Sequence, residues 1–209
     1  MSRCSTTAAL AVLVALAACS SAADPSVSPA PATAPAPGAT QPLHTAADVA
    51  FMVNMIGHHA QAVRISRWAP THGASPAVLR LAERIVVGQQ DEIDLMARWL
   101  RSHGETVPAP DSSHHMSGMD HSGHMPGMLS DDQLAMLDSA RGPRFDRLFL
   151  TFMIQHHEGA VTMVDQLFAS QGAGEEDTVF RLASDVQADQ VTEIRRMQQM
   201  LAQLPPTTD

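Results

Sequence analysis

The sequence predicts an all-α fold in which a duplicated helical hairpin closes into a four-helix bundle. Three observations carry that prediction. One stretch occurs twice: Asp48, Phe51, Met55, Ile56, His58, His59, Ala62 and Val63 return as Asp146, Phe149, Met153, Ile154, His156, His157, Ala160 and Val161, each 98 residues later. A second stretch follows suit, Arg80, Leu81, Ala82, Gln89, Glu92, Ile93, Met96 and Leu100 returning as Arg181, Leu182, Ala183, Gln190, Glu193, Ile194, Met197 and Leu201 at an offset of 101. Two ungapped blocks whose offsets differ only through their connection describe a duplicated two-element unit. The apolar residues within the blocks recur at three- and four-residue spacing, which is the helical period.

The chain begins with segments that stand outside this bundle. Arg3 precedes an apolar run over 8–18 that is too short to span a membrane and suits a signal-peptide core, so residues 1–18 are expected to be a signal peptide. The run ends in Leu16-Ala17-Ala18-Cys19-Ser20, which resembles a bacterial lipobox. Cys19 is therefore expected to be the lipid-modified first residue of an exported, membrane-anchored protein; an ordinary secretory signal is the alternative. Residues 19–43 are Ala, Pro, Ser and Thr with almost no large apolar side chain. Such a segment cannot bury enough surface to offset its ordering entropy and is predicted to be a disordered linker.

The folded part spans 44–205. Thr45 and Asp48 resemble a capping box, and the first helix runs from there to about Trp68, ahead of Pro70. Ser75-Pro76 starts the second helix, which ends near Ser102 before Gly104. Together these form hairpin one, 45–104. Residues 105–129 lack apolar periodicity and are expected to be a loop. Hairpin two, 130–204, opens with a short helix capped by Ser130 and broken at Gly142-Pro143. A long helix then reaches Ser170, and a last one over 175–204 ends at Pro205. Asp48 and Asp146 are expected to cap the starts of the two motif helices, with a ligand role as the alternative.

Composition narrows the chemistry. The only cysteines, Cys4 and Cys19, lie in the leader, so the bundle has neither a disulfide nor a thiolate site. A formal net charge of −9 without a basic cluster argues against nucleic acid as a partner. There is no Tyr and no Ser/His/Asp grouping at motif spacing, and no residue is assigned a catalytic role.

What remains is a set of metal-binding side chains. Met55 precedes His58 by three residues and His59 by four, and Met153 stands likewise before His156 and His157. That spacing brings thioether and imidazole to one helix face. Adjacent histidines lie about 100° apart round the axis, so one of each pair is expected in the core and the other on a flank. The loop adds His114, His115, Met116, Met119, His121, His124, Met125 and Met128, which make up eight of fifteen residues. Thioether and imidazole without thiolate suit copper, as Cu(I) or Cu(II), and Ag(I). Glu92 and Glu193 sit inside apolar stripes; pairing with His or Arg competes there with a ligand role.

The two blocks, including Phe51-x3-Met55-Ile56-x-His58-His59-x2-Ala62 and Gln89-x2-Glu92-Ile93-x2-Met96-x2-Trp99-Leu100, resemble the DUF305 family across the whole folded part. The resemblance implies a ferritin-like fold and kinship with periplasmic copper-binding proteins of the CopM type. The family commonly carries a Met six residues after the second His; Met163 matches this, whereas copy one has Ile65. The expected function is an extracytoplasmic copper-binding protein, a chaperone or buffer in copper tolerance, with any protein partner for copper delivery left open. The alternatives are a ferritin-like dimetal oxidoreductase using Glu92, Glu193 and the paired histidines, and a four-helix scaffold without metal.

Overall fold

The computed structural model describes residues 44–109 and 125–205. The signal segment, Cys19 and the Ala/Pro/Ser/Thr linker lie outside them, as do residues 110–124. Five helices form: α1 (Ala46–Ser66), α2 (Pro76–Ser102), α3 (Asp131–Ser139), α4 (Pro143–Ala169) and α5 (Asp177–Gln203). No strand occurs among the described residues. None of the described helices is long and apolar enough to cross a membrane.

Local chemistry explains where each helix begins. Thr45 and Asp48 close a reciprocal capping box, Asp48 Oδ2 accepting the Thr45 amide at 2.7 Å and Thr45 Oγ1 accepting the Asp48 amide at 3.2 Å. α1 ends two residues before Trp68, and tight turns then lead to Gly73, whose φ of +69° suits glycine. Ser75 caps α2, with Pro76 in the first turn, where a missing N–H leaves no hydrogen bond unmade. Ser130 and Gln133 cap α3 reciprocally, and the Glu176 carboxylate accepts the Val179 amide at 3.0 Å to open α5.

Asp146 departs from expectation. It is the fourth residue of α4 and makes no cap there; both its oxygens accept the backbone N–H of Ser75, at 3.1 and 3.2 Å, in the α1–α2 turn. Asp48 caps its own helix and also accepts the Gly174 amide, at 2.7 Å, in the α4–α5 turn. Each half therefore clasps the hairpin turn of the other through the same repeated carboxylate. Burying these two charges is tolerable because backbone donors satisfy them.

The helices bury two apolar clusters. One joins the first half of α1 (Phe51, Met52, Met55, Ile56) to the end of α2, the end of α4 (Met163, Val164, Leu167) and the start of α5. The other joins the end of α1 to the start of α2, the start of α4 (Phe145, Phe149, Met153), α3 through Leu134 and Leu137, and Met197 of α5. Each fully buried side chain of this size contributes about 1.5–3 kcal/mol. α1 thus runs antiparallel to α4, and the repeated histidines of the two helices meet between the clusters.

Candidate metal centre

His58, His59, His156 and His157 are all fully buried. This corrects the expectation that one of each pair would flank the core. An angle of about 100° between neighbours does not expose either ring, because each motif helix is covered on two sides, by its hairpin partner and by the other motif helix. The inner pair, His58 and His156, brings its ring centroids to 3.8 Å with planes inclined by 37°. The outer pair turns to the carboxylates of the hairpin partners: His59 Nε2 lies 2.7 Å from Glu92 Oε2, and His157 Nε2 lies 2.8 Å from Glu193 Oε2. The second contact is an aligned hydrogen bond. The first has ion-pair distance, but the carboxylate stands out of line for a hydrogen bond with the ring.

Glu92 and Glu193 are thus engaged by histidine, and Arg84 adds its Nε–H to Glu193 Oε1 at 3.2 Å from the other hairpin. Among the described residues, no group of three His, Cys, Asp or Glu is placed to hold a metal ion. The carboxylates flank the imidazoles instead of converging on a dimetal position.

Tautomers follow from these contacts. The Pro126 carbonyl can only accept, so His58 Nε2, 3.0 Å from it, carries the proton. Burial then lowers His58 to a pKa of about 3, helped by neighbouring His59 and His157 and opposed by the Pro126 contact. The ring is neutral near pH 7, and Nδ1 holds a lone pair. Among the described residues Nδ1 has no hydrogen-bond partner in any of the four histidines, and His156 has none at either nitrogen. Burial holds His156 well below 6.5, with His58, His157 and His59 adding to the shift. Burial also lowers His157, against the raising pull of Glu193. At Glu193 burial favours protonation, but the His157 contact and Arg84 outweigh it and the pKa falls. Gln89 and Gln190 are buried as well, Gln89 with both ends of its amide unpartnered and Gln190 with its oxygen so, among the described residues.

An unpartnered buried polar group costs about 1–3 kcal/mol. A cluster of such groups at the centre of a bundle calls for an occupant, an ion or water, or for a functional reason to persist. The chemistry of the donors fits a soft or borderline cation. Met55 and Met153 are fully buried at either side of the polar layer, one in each apolar cluster, and Met163 is buried close to the first.

The end of the Met/His-rich segment reaches this layer. His114, His115, Met116, Met119, His121 and His124 lie outside the described residues, whereas Met125 and Met128 are half-buried in a strap that crosses α1 and α4. The strap is held by its backbone. Gln61 exchanges two hydrogen bonds with Leu129, donating to its carbonyl at 3.2 Å and accepting its amide at 2.9 Å. Pro126 accepts from His58, and Gly127 accepts from Gln155 at 3.4 Å. A Cβ on Gly159 would overlap the Pro126 carbonyl and stand 2.6 Å from Gly127 Cα, so only glycine admits the strap there. Residues 105–109 and 125–129 carry no helix, and the strap over 125–129 packs on the bundle, with Leu129 buried in the second apolar cluster.

Sequence reasoning missed Gln61, Gln155 and Gly159, although a signal was present. The repeat breaks at these positions: Gly57 and Gln61 of copy one face Gln155 and Gly159 of copy two. Two pseudo-equivalent helices exchange glycine and glutamine where the strap over 125–129 crosses them.

The comparison with known proteins agrees with this architecture. A family model described as a domain of unknown function, DUF305, matches residues 48–201. The chain belongs to the DUF305 family. A DUF305 fragment from Deinococcus radiodurans is 30% identical to this DUF305 chain, covers 78% of it and 100% of the fragment, and superposes with a TM-score of 0.66. A DUF305 protein from Streptomyces coelicolor is 29% identical, covering 75% of this chain and 92% of that one at a TM-score of 0.63. CopM in its Cu(II)-bound form is 30% identical, covering 74% of this chain and 95% of that one at 0.59. No curated protein matches.

Proposed function

We propose that this DUF305 chain is an extracytoplasmic copper-binding protein that carries or buffers copper as cargo. The observation that carries the reading is the buried layer of imidazoles: six ring nitrogens lack hydrogen-bond partners among the described residues there, and thioethers are buried on both sides. Neutral imidazole is the ligand form, and burial keeps His58, His156 and His157 neutral. Glu193 orients His157 from behind, as carboxylates do for metal-bound histidine, and Glu92 stands at ion-pair distance behind His59, leaving Nδ1 as the ligating nitrogen of both outer rings. Met55, Met153 and Met163 supply soft ligands for Cu(I). CopM, the structural neighbour, is known in Cu(I)-, Cu(II)- and Ag-bound forms.

In this reading the Met and His residues over 114–128 capture the ion and the strap leads it to the bundle centre. Export follows from the leader, and Cys19 carries the lipid that keeps the protein at the membrane. The deciding experiment is metal analysis of the full chain with competition titrations against Cu(I), Cu(II), Ag(I), Zn(II) and Fe(II). Preference for Cu(I) and Ag(I), lost when His58, His156, Met55 and Met153 are replaced, is the expected result. A chain that binds none of these ions, or one that prefers Fe(II) and turns over oxygen, overturns the proposal.

A further inference from the structure

The geometry points to a second metal site, at the end of the bundle away from the buried histidines, formed by His44 and His103 against Trp99 and selective for a divalent ion. This site is independent of the copper reading of the bundle centre. His103 follows α2 directly as its C-cap, and His44 precedes the Thr45 cap of α1. Their ring centroids are 4.6 Å apart with planes inclined by 76°. Two imidazoles bound cis to one ion, at about 2.0–2.1 Å per metal–nitrogen bond, put their ring centres roughly 4.5–5 Å apart. The observed spacing is already that of a ligated pair.

The hydrogen bonds prepare His103 for this role. Its Nδ1 lies 2.8 Å from the Trp99 carbonyl oxygen, which only accepts, so Nδ1 carries the proton and the Nε2 lone pair is left for an ion. A backbone carbonyl behind Nδ1–H is the arrangement that fixes the tautomer and raises the basicity of metal-bound histidine. The platform is rigid. His103 stacks on Trp99 at 4.2 Å, and the Trp99 indole N–H donates to Glu176 Oε2 at 3.0 Å. A cation here also faces the carbonyl end of the α2 dipole.

The other indole–imidazole pair provides the control. Trp68 and His72 share the four-residue spacing of Trp99 and His103 and also stack, at 5.9 Å. His72, however, is closed: Nδ1 contacts Thr71 Oγ1 at 3.0 Å, and Nε2 contacts the Asp138 carbonyl oxygen at 2.9 Å. The bundle thus holds one such pair as structure and one with a ligand nitrogen to spare. With two imidazoles and no thioether in the pair, the site suits Cu(II), Ni(II) or Zn(II) over Cu(I) or Ag(I). No third His, Cys, Asp or Glu completes it among the described residues, so water fills the remaining positions.

The test uses the full chain carrying Trp68→Phe, which leaves Trp99 as its one indole. Titration with Cu(II) is expected to quench Trp99 emission saturably, and Ag(I) is expected to have no such effect. Adding His44→Gln and His103→Gln should raise the quenching midpoint about ten-fold or more. Circular dichroism checks the fold. If the double variant unfolds, His44→Gln alone decides, since His44 lies outside the helices. Absence of quenching in the parent, or the same midpoint in parent and variant, overturns the site.

Discussion

The buried imidazole of His156 poses a free-energy problem that a purely structural residue would not. Neither of its ring nitrogens finds a partner among the described residues. Replacing such a group by an apolar one of similar size is close to neutral or stabilising. His156→Leu is therefore expected to leave the metal-free chain within about 1 kcal/mol of the parent, or more stable, while reducing Cu(I) uptake. Urea unfolding and a Cu(I) competition assay measure the two effects, and a large loss of stability with unchanged uptake would make His156 a packing residue. The same rings set a pH dependence. His58 is held near 3, with His156 and His157 also lowered, whereas in the unfolded chain each titrates at 6.5. Below 6.5 the unfolded state binds more protons than the folded one, so this contribution is complete above that pH and is lost progressively towards 3. Glu193, whose pKa is also lowered, acts in the same direction below 4.5. Unfolding free energy should fall steadily from pH 7 to pH 4, less steeply in His156→Leu than in the parent. A flat profile would mean that the rings are already charged in the fold.

Among the elements, the strap over 125–129 links the Met/His-rich segment to the bundle. Its seat depends on a missing side chain at Gly159 and on the paired hydrogen bonds of Gln61, with Gln155 and His58 adding one each. Gly159→Ala places a methyl in the Pro126 carbonyl and should cost about 1–3 kcal/mol, mostly through release of the strap. The marker of release is the Leu129 amide, which Gln61 Oε1 accepts. Its hydrogen exchange should become fast in Gly159→Ala and in Gln61→Ala, while amides at the centre of α2 stay protected. Protection that persists at Leu129 in both variants would show that other contacts seat the strap. The boundary also decides how the loop can be cut. Excising residues 114–124 should lower copper stoichiometry and leave the melting temperature nearly unchanged, whereas a deletion running on through Met128 should lower it.

At the scale of the whole molecule, the two described hairpins form one clasped bundle. Asp48 and Asp146 lock each hairpin to the turn of the other half, so the halves are expected to unfold as one cooperative unit. Whether the unit is held at a membrane rests on Cys19. Changing Cys19 to Ala should move the protein from the membrane fraction to the soluble one or block its processing. One acyl chain binds only marginally, so stable retention in the parent implies a second. A Cys19→Ala protein that stays with the membranes would assign the anchor elsewhere.

Helix number, the approximate starts and stops, the duplication and the paired Met and His positions were all determined by the sequence alone. These depend on local rules: a helical period in Leu81 to Leu100, Ser75-Pro76 as a start, Pro70 as a stop, and a repeat that needs no structure to count. What only the tertiary structure decided is where the side chains of two distant segments meet. Nothing local distinguishes a flanking His59 from a buried one; its burial depends on α2 and α4 covering α1 together. Asp146 looks like a cap in sequence because capping is local, but its partner is Ser75, 71 residues earlier. The strap is the clearest case. Gly159 makes sense only once Pro126 lies against it, and that contact arises when a chain with no period of its own crosses two helices.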